Sequence, residues 1–94
     1  MAKIVEKWTK QAIEDLNSAY DFLSAESPHL ISTTIEGILS AIDQVKIFPE
    51  SGRPGRVKGT RELVVTTVPF ILVYRKKRET LEILSILHQS RKWP

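Results

Sequence analysis

The basic residues of a central loop are the side chains best placed to bind an anionic target. Residues 49–60 hold three of the four glycines and two of the five prolines, so this segment is predicted to be a loop. Because binding residues concentrate on loops, and because guanidinium and ammonium groups neutralise phosphates, its cations are predicted to contact a target. Opposite charge also predicts that Arg61 pairs with Glu62 at the junction of loop and strand. The four cations in and beside this loop are Arg53, Arg56, Lys58 and Arg61.

Two further basic segments lie downstream, at residues 75–78 and 91–93. If the predicted strands are neighbours, their ends bring these groups close to the loop, and Trp93 can stack on a base or fill a pocket on a partner. The run from Lys76 to Arg78 is expected to be only a solvated turn, since charged hairpin turns are common. The C-terminal members of the predicted target-binding set are His88, Arg91, Lys92 and Trp93.

His88 is the member of this set that can exchange a proton near neutral pH, which makes it a candidate general acid or base. The sequence fixes no second titratable partner for it. That absence favours the simpler interpretation, in which a strand-end histidine bonds to backbone or lies in an interface. His29 receives no role.

Most other chemistries find no support in the residue types. The chain has no cysteine, which excludes a disulfide scaffold, a thiol nucleophile and a thiolate metal site. The two histidines fall on different predicted elements, and Glu14 and Asp15 are expected to be an exposed helix pair, so neither a metal nor a cofactor is expected. Neither a phosphate loop nor a nucleophile elbow is present as a motif. The residues alone favour binding over catalysis.

The spacing of apolar residues predicts the elements that position these groups. Thr9 is a predicted N-cap, and apolar residues at helical spacing follow it. Ser27 and Pro28 mark the start of a second helix, so the two helices form an antiparallel hairpin. The almost continuously apolar run after Pro69 is typical of a central strand. The predicted elements are a strand at 4–8, helices at 10–25 and 27–48, and strands at 61–65, 70–75 and 81–87.

This order of elements predicts an α+β fold: an N-terminal strand and an antiparallel helical hairpin packed on a mainly antiparallel, three- to four-stranded sheet. A length of 94 residues leaves room for one core, so a single domain over residues 1–94 is expected. With no long apolar run and no signal-peptide pattern, we expect a cytoplasmic protein with no membrane partner.

Charge is divided unevenly between the two halves of the chain. Residues 1–50 carry eight acidic and four basic residues, whereas residues 51–94 carry ten basic and three acidic residues. A basic half joined to an acidic half indicates that one face meets an anionic macromolecule or an acidic protein. A surface that only maintains solubility is the alternative.

Short segments in a fixed order carry a family resemblance over essentially the whole chain. They are Ala12-Ile13-Glu14-Asp15-Leu16, Ile47-Phe48-Pro49 with Gly52-Arg53-Pro54, Gly59-Thr60-Arg61-Glu62-Leu63-Val64, Pro69-Phe70-Ile71-Leu72-Val73-Tyr74-Arg75, and residues 86–94. No single segment is diagnostic. The ordered set resembles the RelE/ParE toxin superfamily, on its ParE (plasmid-stabilisation) side.

The resemblance implies the toxin of a type II toxin–antitoxin system, held inactive by a cognate antitoxin whose partly disordered segment folds across it. An acidic segment of that kind can neutralise a basic surface and stabilise a small domain. ParE-type toxins are expected to inhibit DNA gyrase, whereas RelE-type toxins cut messenger RNA in the ribosomal A site.

Two strand positions separate these activities. RelE-type members hold RNA with basic residues on the middle strands, where this chain has Ile71 and Glu62. An apolar side chain cannot stabilise a phosphoryl transition state, and a carboxylate repels it. The resemblance therefore favours a gyrase-inhibiting binder that is not an enzyme, with a ribosome-dependent ribonuclease second and a non-toxic or decayed binding module third. A ribonuclease would use Arg61, Arg75, His88 and Arg91.

The antitoxin is expected to contact the outer groove of the helical hairpin and an exposed sheet edge. The reason is that the two helices carry more apolar residues than a small sheet can cover. The residues expected to make this contact are Ile31, Ile35, Ile38 and Ile42.

Overall fold

A computed structural model describes residues 3–66 and 68–89. All of its strands form one sheet in the order β1-β5-β4-β3-β2, in which β1 is parallel to β5 and the other neighbours are antiparallel. The elements in chain order are β1 (Val5–Trp8), α1 (Lys10–Glu26), a 3-10 turn (Pro28–Leu30), α2 (Ile31–Ile47), β2 (Arg53–Pro54), β3 (Arg61–Val64), β4 (Phe70–Lys77) and β5 (Thr80–His88). The predicted α+β class, with a helical hairpin on a mainly antiparallel sheet, is confirmed.

Among the described residues the sheet has five strands, one more than the upper limit predicted. The additional strand is β2, where Arg53 pairs with Glu62 and Pro54 with Arg61 inside the central loop. A two-residue strand leaves no periodicity for a sequence to display, and proline is accepted there because β2 is an edge strand.

The first helix is capped as predicted and packs through small residues. Thr9 Oγ1 accepts a hydrogen bond from the Ala12 N–H at 3.1 Å and donates one to the Leu84 carbonyl at 3.0 Å, which ties the cap to β5. Ala12 and Ala19 are buried, whereas the bulkier Ile13 and Tyr20 are about half exposed. Small side chains allow the helix backbone to approach the sheet, so larger neighbours point outward.

The second helix starts later than predicted. Ser27 makes no capping hydrogen bond with its side chain, and a single 3-10 turn precedes the start of α2 at Ile31. α2 buries Ile38, Ile42 and Val45 against the sheet. Within the described residues, neither helix is long and apolar enough to cross a membrane.

The central strand is β4, which is buried from Phe70 to Tyr74. Phe70, Leu72 and Tyr74 belong to the core cluster with the helices. A register shift interrupts the β4–β5 pairing, because Val73 lies opposite Ser85 while Tyr74 lies opposite Ile83. The extra residue forms a bulge that changes which side chains of β5 reach the core.

Candidate functional site

The sheet face that lies away from the helices holds both positions that separate the two expected activities. The β3–β4 register pairs Glu62 with Val73 and Val64 with Ile71, and directly paired residues share a face. Their neighbours Leu63 and Leu72 pack with the core on the helix side. We call the face with Glu62, Ile71, Val73 and Arg75 the far face.

Carboxylates neutralise both arginines at the far face. Arg53 Nη2 lies 3.1 Å from Glu62 Oε1, and the Glu62 side chain is only 12% exposed. Arg75 contacts Glu82 Oε1 through Nη2 at 2.8 Å and through Nε at 2.9 Å. Each carboxylate offsets the charge of its arginine, so these pairs weaken the attraction of the far face for a phosphate.

Arg61 belongs to the helix side and anchors the central loop. It lies opposite Tyr74, and its Nη1 donates a hydrogen bond to the Gly52 carbonyl at 2.8 Å. The buried Tyr74 Oη accepts from the Gly52 N–H at 3.0 Å and donates to the Pro49 carbonyl at 2.7 Å. The loop is thus fixed to the central strand by side-chain hydrogen bonds to its backbone.

The predicted ion pair between Arg61 and Glu62 is wrong. Successive residues of a strand point to opposite faces, so these two side chains cannot meet. The Glu62 carboxylate pairs with Arg53 across the β2–β3 ladder instead. The junction of loop and strand is therefore held by Arg53 on the far face and by Arg61 on the helix side.

The residues that a ribonuclease would use are not brought together. Arg61 and His88 lie on the helix side, whereas Arg75 lies on the far face. The His88 ring packs edge-on against Phe70, with centroids 5.8 Å apart. Phe70 precedes Arg75 by five residues on β4, which is about 17 Å along the strand. Arg91 lies outside the described residues.

The predicted target-binding residues divide between the two ends of the sheet. Arg61 lies opposite Tyr74 and His88 opposite Phe70, about 14 Å away along β4. The loop cations precede Arg61 in the chain and so leave the sheet at the end away from His88. The loop cations and the end of β5 were expected to lie close together, and for His88 this expectation is wrong. Arg91, Lys92 and Trp93 lie outside the described residues.

The end of the sheet near the loop carries a second basic turn instead. β4 continues past Tyr74 to Lys77, and β5 begins at Thr80, so the β4–β5 turn lies beside the loop that precedes β3. Local sequence predicts only a solvated turn at residues 76–78. Its place next to the loop cations depends on the strand order, which local sequence does not display.

Between the helices runs an apolar groove of about 140 Å³. Its lining residues are Leu16, Asn17, Ala19, Tyr20, Leu23, Ile31, Thr34 and Ile35. Ile38 and Ile42, which the sequence interpretation also assigned to antitoxin contact, are almost fully buried in the core. Ile38 and Ile42 follow the buried Thr34 by one and two helical turns, so all three side chains point at the sheet. Ile35 lies on the outer side of α2.

Asp15 is a structural residue that the sequence reasoning missed. One oxygen, Oδ2, accepts hydrogen bonds from Ser85 Oγ at 2.5 Å and from the Ile86 N–H at 3.0 Å. β1 pairs only with Thr80–Ile83, so this part of β5 has no strand on that side, and α1 supplies the acceptor. Asp15 was expected to be exposed with Glu14, and no local signal distinguishes the two.

Glu6 and Lys46 join the first strand to the second helix. Lys46 Nζ lies 2.7 Å from Glu6 Oε1, and Trp8 Nε1 donates a hydrogen bond to the other oxygen at 2.7 Å. The hydrogen bond from Lys46, followed by that from Trp8, lowers the pKa of the Glu6 carboxyl below its ordinary value. In residues 3–66 and 68–89, no three His, Asp or Glu side chains are grouped to hold a metal ion.

Fold and site together define a small α+β protein with a basic sheet end and an apolar helical groove. The family model described as "ParE toxin of type II toxin-antitoxin system, parDE" matches residues 7–93. The chain belongs to this ParE toxin family, which implies a cognate antitoxin. The predicted membership of the RelE/ParE superfamily is thereby confirmed.

Individual relatives cover almost the whole chain. The Sinorhizobium fredii protein Y4kP is 36% identical over 88 residues, or 94% of this chain and 91% of its own length. Toxin RelE2 of Caulobacter vibrioides is 31% identical over 91 residues, or 97% of this chain and 99% of its own.

Solved structures share the fold. A chain of the chromosomal ParDE toxin–antitoxin system of P. aeruginosa superposes with a TM-score of 0.79 at 26% identity, covering 94% of this chain and 98% of that one. The YoeB/ParE toxin of Agrobacterium tumefaciens has a TM-score of 0.60 at 20% identity, covering 90% and 98%. The second likeness concerns the fold alone.

Proposed function

We propose that this protein is a ParE-like toxin that inhibits DNA gyrase by binding, without a reaction of its own, and that a cognate antitoxin neutralises it. The similarity to a ParDE chain supports the ParE side of the superfamily. The observation that carries the proposal is the charge arrangement of the far face. A gyrase inhibitor must act in the cytoplasm, because gyrase is bound to DNA there, and a cytoplasmic location is therefore part of the proposal.

A ribonuclease needs positive charge where the scissile phosphate develops its extra negative charge. The far face has Glu62 and Ile71 at the positions in question, and its two arginines are already paired with carboxylates. The charges of the far face therefore disfavour a phosphoryl transition state. Binding to a protein–DNA target has no such requirement.

The direct test is a supercoiling assay with the purified chain, relaxed plasmid, gyrase and ATP. We expect supercoiling to stop and cleaved plasmid to accumulate, and we expect added antitoxin to prevent both. An Arg75→Gln variant should inhibit as the natural chain does, because Arg75 is committed to Glu82. Normal supercoiling together with cleavage of ribosome-bound mRNA would refute the proposal.

The ribonuclease remains a second candidate because one relative is named toxin RelE2. In that case Arg61, Arg75, His88 and Arg91 would hold the RNA, with His88 exchanging the proton. Cleavage of mRNA by the natural chain, lost in both Arg75→Gln and His88→Ala variants, would support this candidate. Cleavage that survives both substitutions would contradict it.

For the antitoxin we propose a contact in the interhelical groove, through Ile31 and Ile35. The groove is lined almost entirely by apolar side chains, and Ile35 remains 38% exposed in the free toxin. A helix of the antitoxin can lay an apolar face into such a groove. Ile38 and Ile42 support the groove from within the core and do not reach the partner.

An Ile35→Asp variant tests the groove. We expect it to weaken antitoxin binding at least tenfold while its circular dichroism spectrum stays that of the natural chain. Ile47→Asp is the matched control, since Ile47 lies on the same helix, is 70% exposed and does not line the groove. Equal affinity of the antitoxin for both variants would exclude the groove as its contact.

The third alternative, a non-toxic binding module or a decayed toxin, is tested in cells. Induced expression alone should arrest growth, and co-expression with the neighbouring small reading frame should relieve the arrest. Harmless expression of folded protein would favour this alternative.

A further inference from the structure

Two basic turns leave the same end of the sheet. The first is the part of the central loop that precedes β3, with Arg56 and Lys58, and the second is the β4–β5 turn, with Lys77 and Arg78. We call these four cations the basic end. Neighbouring strands lie about 4.8 Å apart, so the two turns are separated by two strand spacings, or roughly 10 Å across the sheet.

The cations of the basic end differ from the other basic residues near it. Arg53 and Arg75 are paired with carboxylates, Arg61 bonds to the Gly52 carbonyl, and Lys76 Nζ donates to the Arg78 carbonyl. The four cations of the basic end are exposed, and none forms an ion pair with another residue that the structure describes. Their charges are therefore available to a partner.

The partner that fits is a surface with regularly spaced negative charge. In residues 53–82, eight basic residues stand against three acidic ones. A separation of roughly 10 Å between the turns is comparable to the width of a groove of duplex DNA, so the two turns can contact phosphates on either side of one groove. No aromatic side chain lies within either turn, which favours backbone contact over stacking on single-stranded bases.

The rest of the molecule limits how a polyanion can approach. Eight acidic residues lie in the first 50, including Glu14, Asp21, Glu36 and Asp43 on exposed positions of the helices. Like charge repels a phosphate backbone from the helical side, where the antitoxin groove lies. A polyanion is thus directed to the basic end, and the groove remains open.

We infer that the basic end binds the phosphate backbone of duplex DNA, independently of sequence. This inference rests on the proposed function, because it gives a gyrase inhibitor a contact with the DNA that gyrase holds. In this inference Arg56, Lys58, Lys77 and Arg78 contact DNA phosphates, and His88 does not contact the DNA.

The test measures binding of the full-length chain to a fluorescent duplex of about 30 base pairs at several salt concentrations. Each phosphate contact contributes about 0.9 to the slope of log K against log salt, so four contacts predict a slope of about −3.6. Arg56→Ala with Lys58→Ala should reduce the slope by about 1.8 and weaken binding roughly 60-fold in 0.1 M salt.

A second variant addresses the other turn, and a third is the control. Lys77→Gln with Arg78→Asn should have a similar effect; asparagine is chosen because Arg78 has a φ of 52°, which asparagine tolerates. Lys10→Ala removes a charge from α1, which follows β1 at its end away from the β4–β5 turn, and should leave DNA binding almost unchanged, whereas the matched single substitution Lys58→Ala should weaken it. Loss of DNA binding in this control to the same extent would overturn the inference, since net charge alone would then explain binding.

The outcomes separate this inference from the proposed function. If the natural chain inhibits gyrase but does not bind duplex DNA, the inference fails while the proposed function stands. If the Arg56 and Lys58 variant loses inhibition in that case, these cations contact the gyrase protein. If the chain binds DNA through the basic end but leaves gyrase active, the proposed function fails and the inference stands.

Discussion

Replacing Tyr74 with phenylalanine removes the hydroxyl that fixes the central loop to the core. The ring stays fully buried, but the Gly52 N–H loses its acceptor and the Pro49 carbonyl loses its donor. An unsatisfied buried polar group costs about 1–3 kcal/mol, and the carbonyl is closer to water than the N–H, so we expect a loss of about 2 kcal/mol. In a domain of this size that corresponds to a fall in Tm of roughly 10–15 °C.

The measurement is chemical and thermal unfolding of the purified chain, followed by circular dichroism. Tyr20→Phe is the matched control, because Tyr20 is half exposed and its hydroxyl makes no hydrogen bond with the described residues. The control should change stability by less than about 0.5 kcal/mol. Equal stability of the two variants would show that the hydroxyl does not hold the loop, and the reasoning about loop position would be wrong.

Two further predictions concern the attachment of the other elements. Asp15→Ala should destabilise the chain by about 2–3 kcal/mol, because Ser85 Oγ and the Ile86 N–H lose a shared acceptor, whereas Glu14→Ala should have little effect; urea unfolding distinguishes them. Equal losses at the two positions would contradict the assignment of Asp15. The Glu6 carboxyl has a lowered pKa in the folded state, so its contribution to stability is present above the pKa of the unfolded chain and is lost as pH falls through the folded pKa. The stability difference between the natural chain and Glu6→Gln should therefore shrink as the pH falls through the folded pKa, and a difference that grows on acidification would refute this sign.

Much of the secondary structure follows from local pattern. Thr9 is an N-cap because a hydroxyl immediately before a helix-period apolar run can accept from the third following N–H, and the structure has that bond. The almost continuous apolar run from Phe70 indicates a central strand covered on at least one face by the helices. Residue type and spacing along the chain carry both signals, so no tertiary information is required.

Contacts between elements were predicted less well. Asp15 and Glu14 are adjacent acidic residues on one helix, yet only Asp15 reaches the uncovered backbone of β5. Ile35 and Ile38 are alike in type, yet one lines a groove and the other is core. These differences depend on the helix rotation and on where β1 ends, and neither is written into a short window of sequence.

The sequence by itself determined the two helices, the four longer strands, the uneven charge and the toxin family, because periodicity and residue type are properties of the chain before it folds. Only the tertiary structure decided which charges meet. The strand order places the central loop beside the β4–β5 turn and leaves His88 at the other end of the sheet. The alternation of faces pairs Glu62 with Arg53 rather than with its neighbour Arg61, because a strand turns successive side chains to opposite sides.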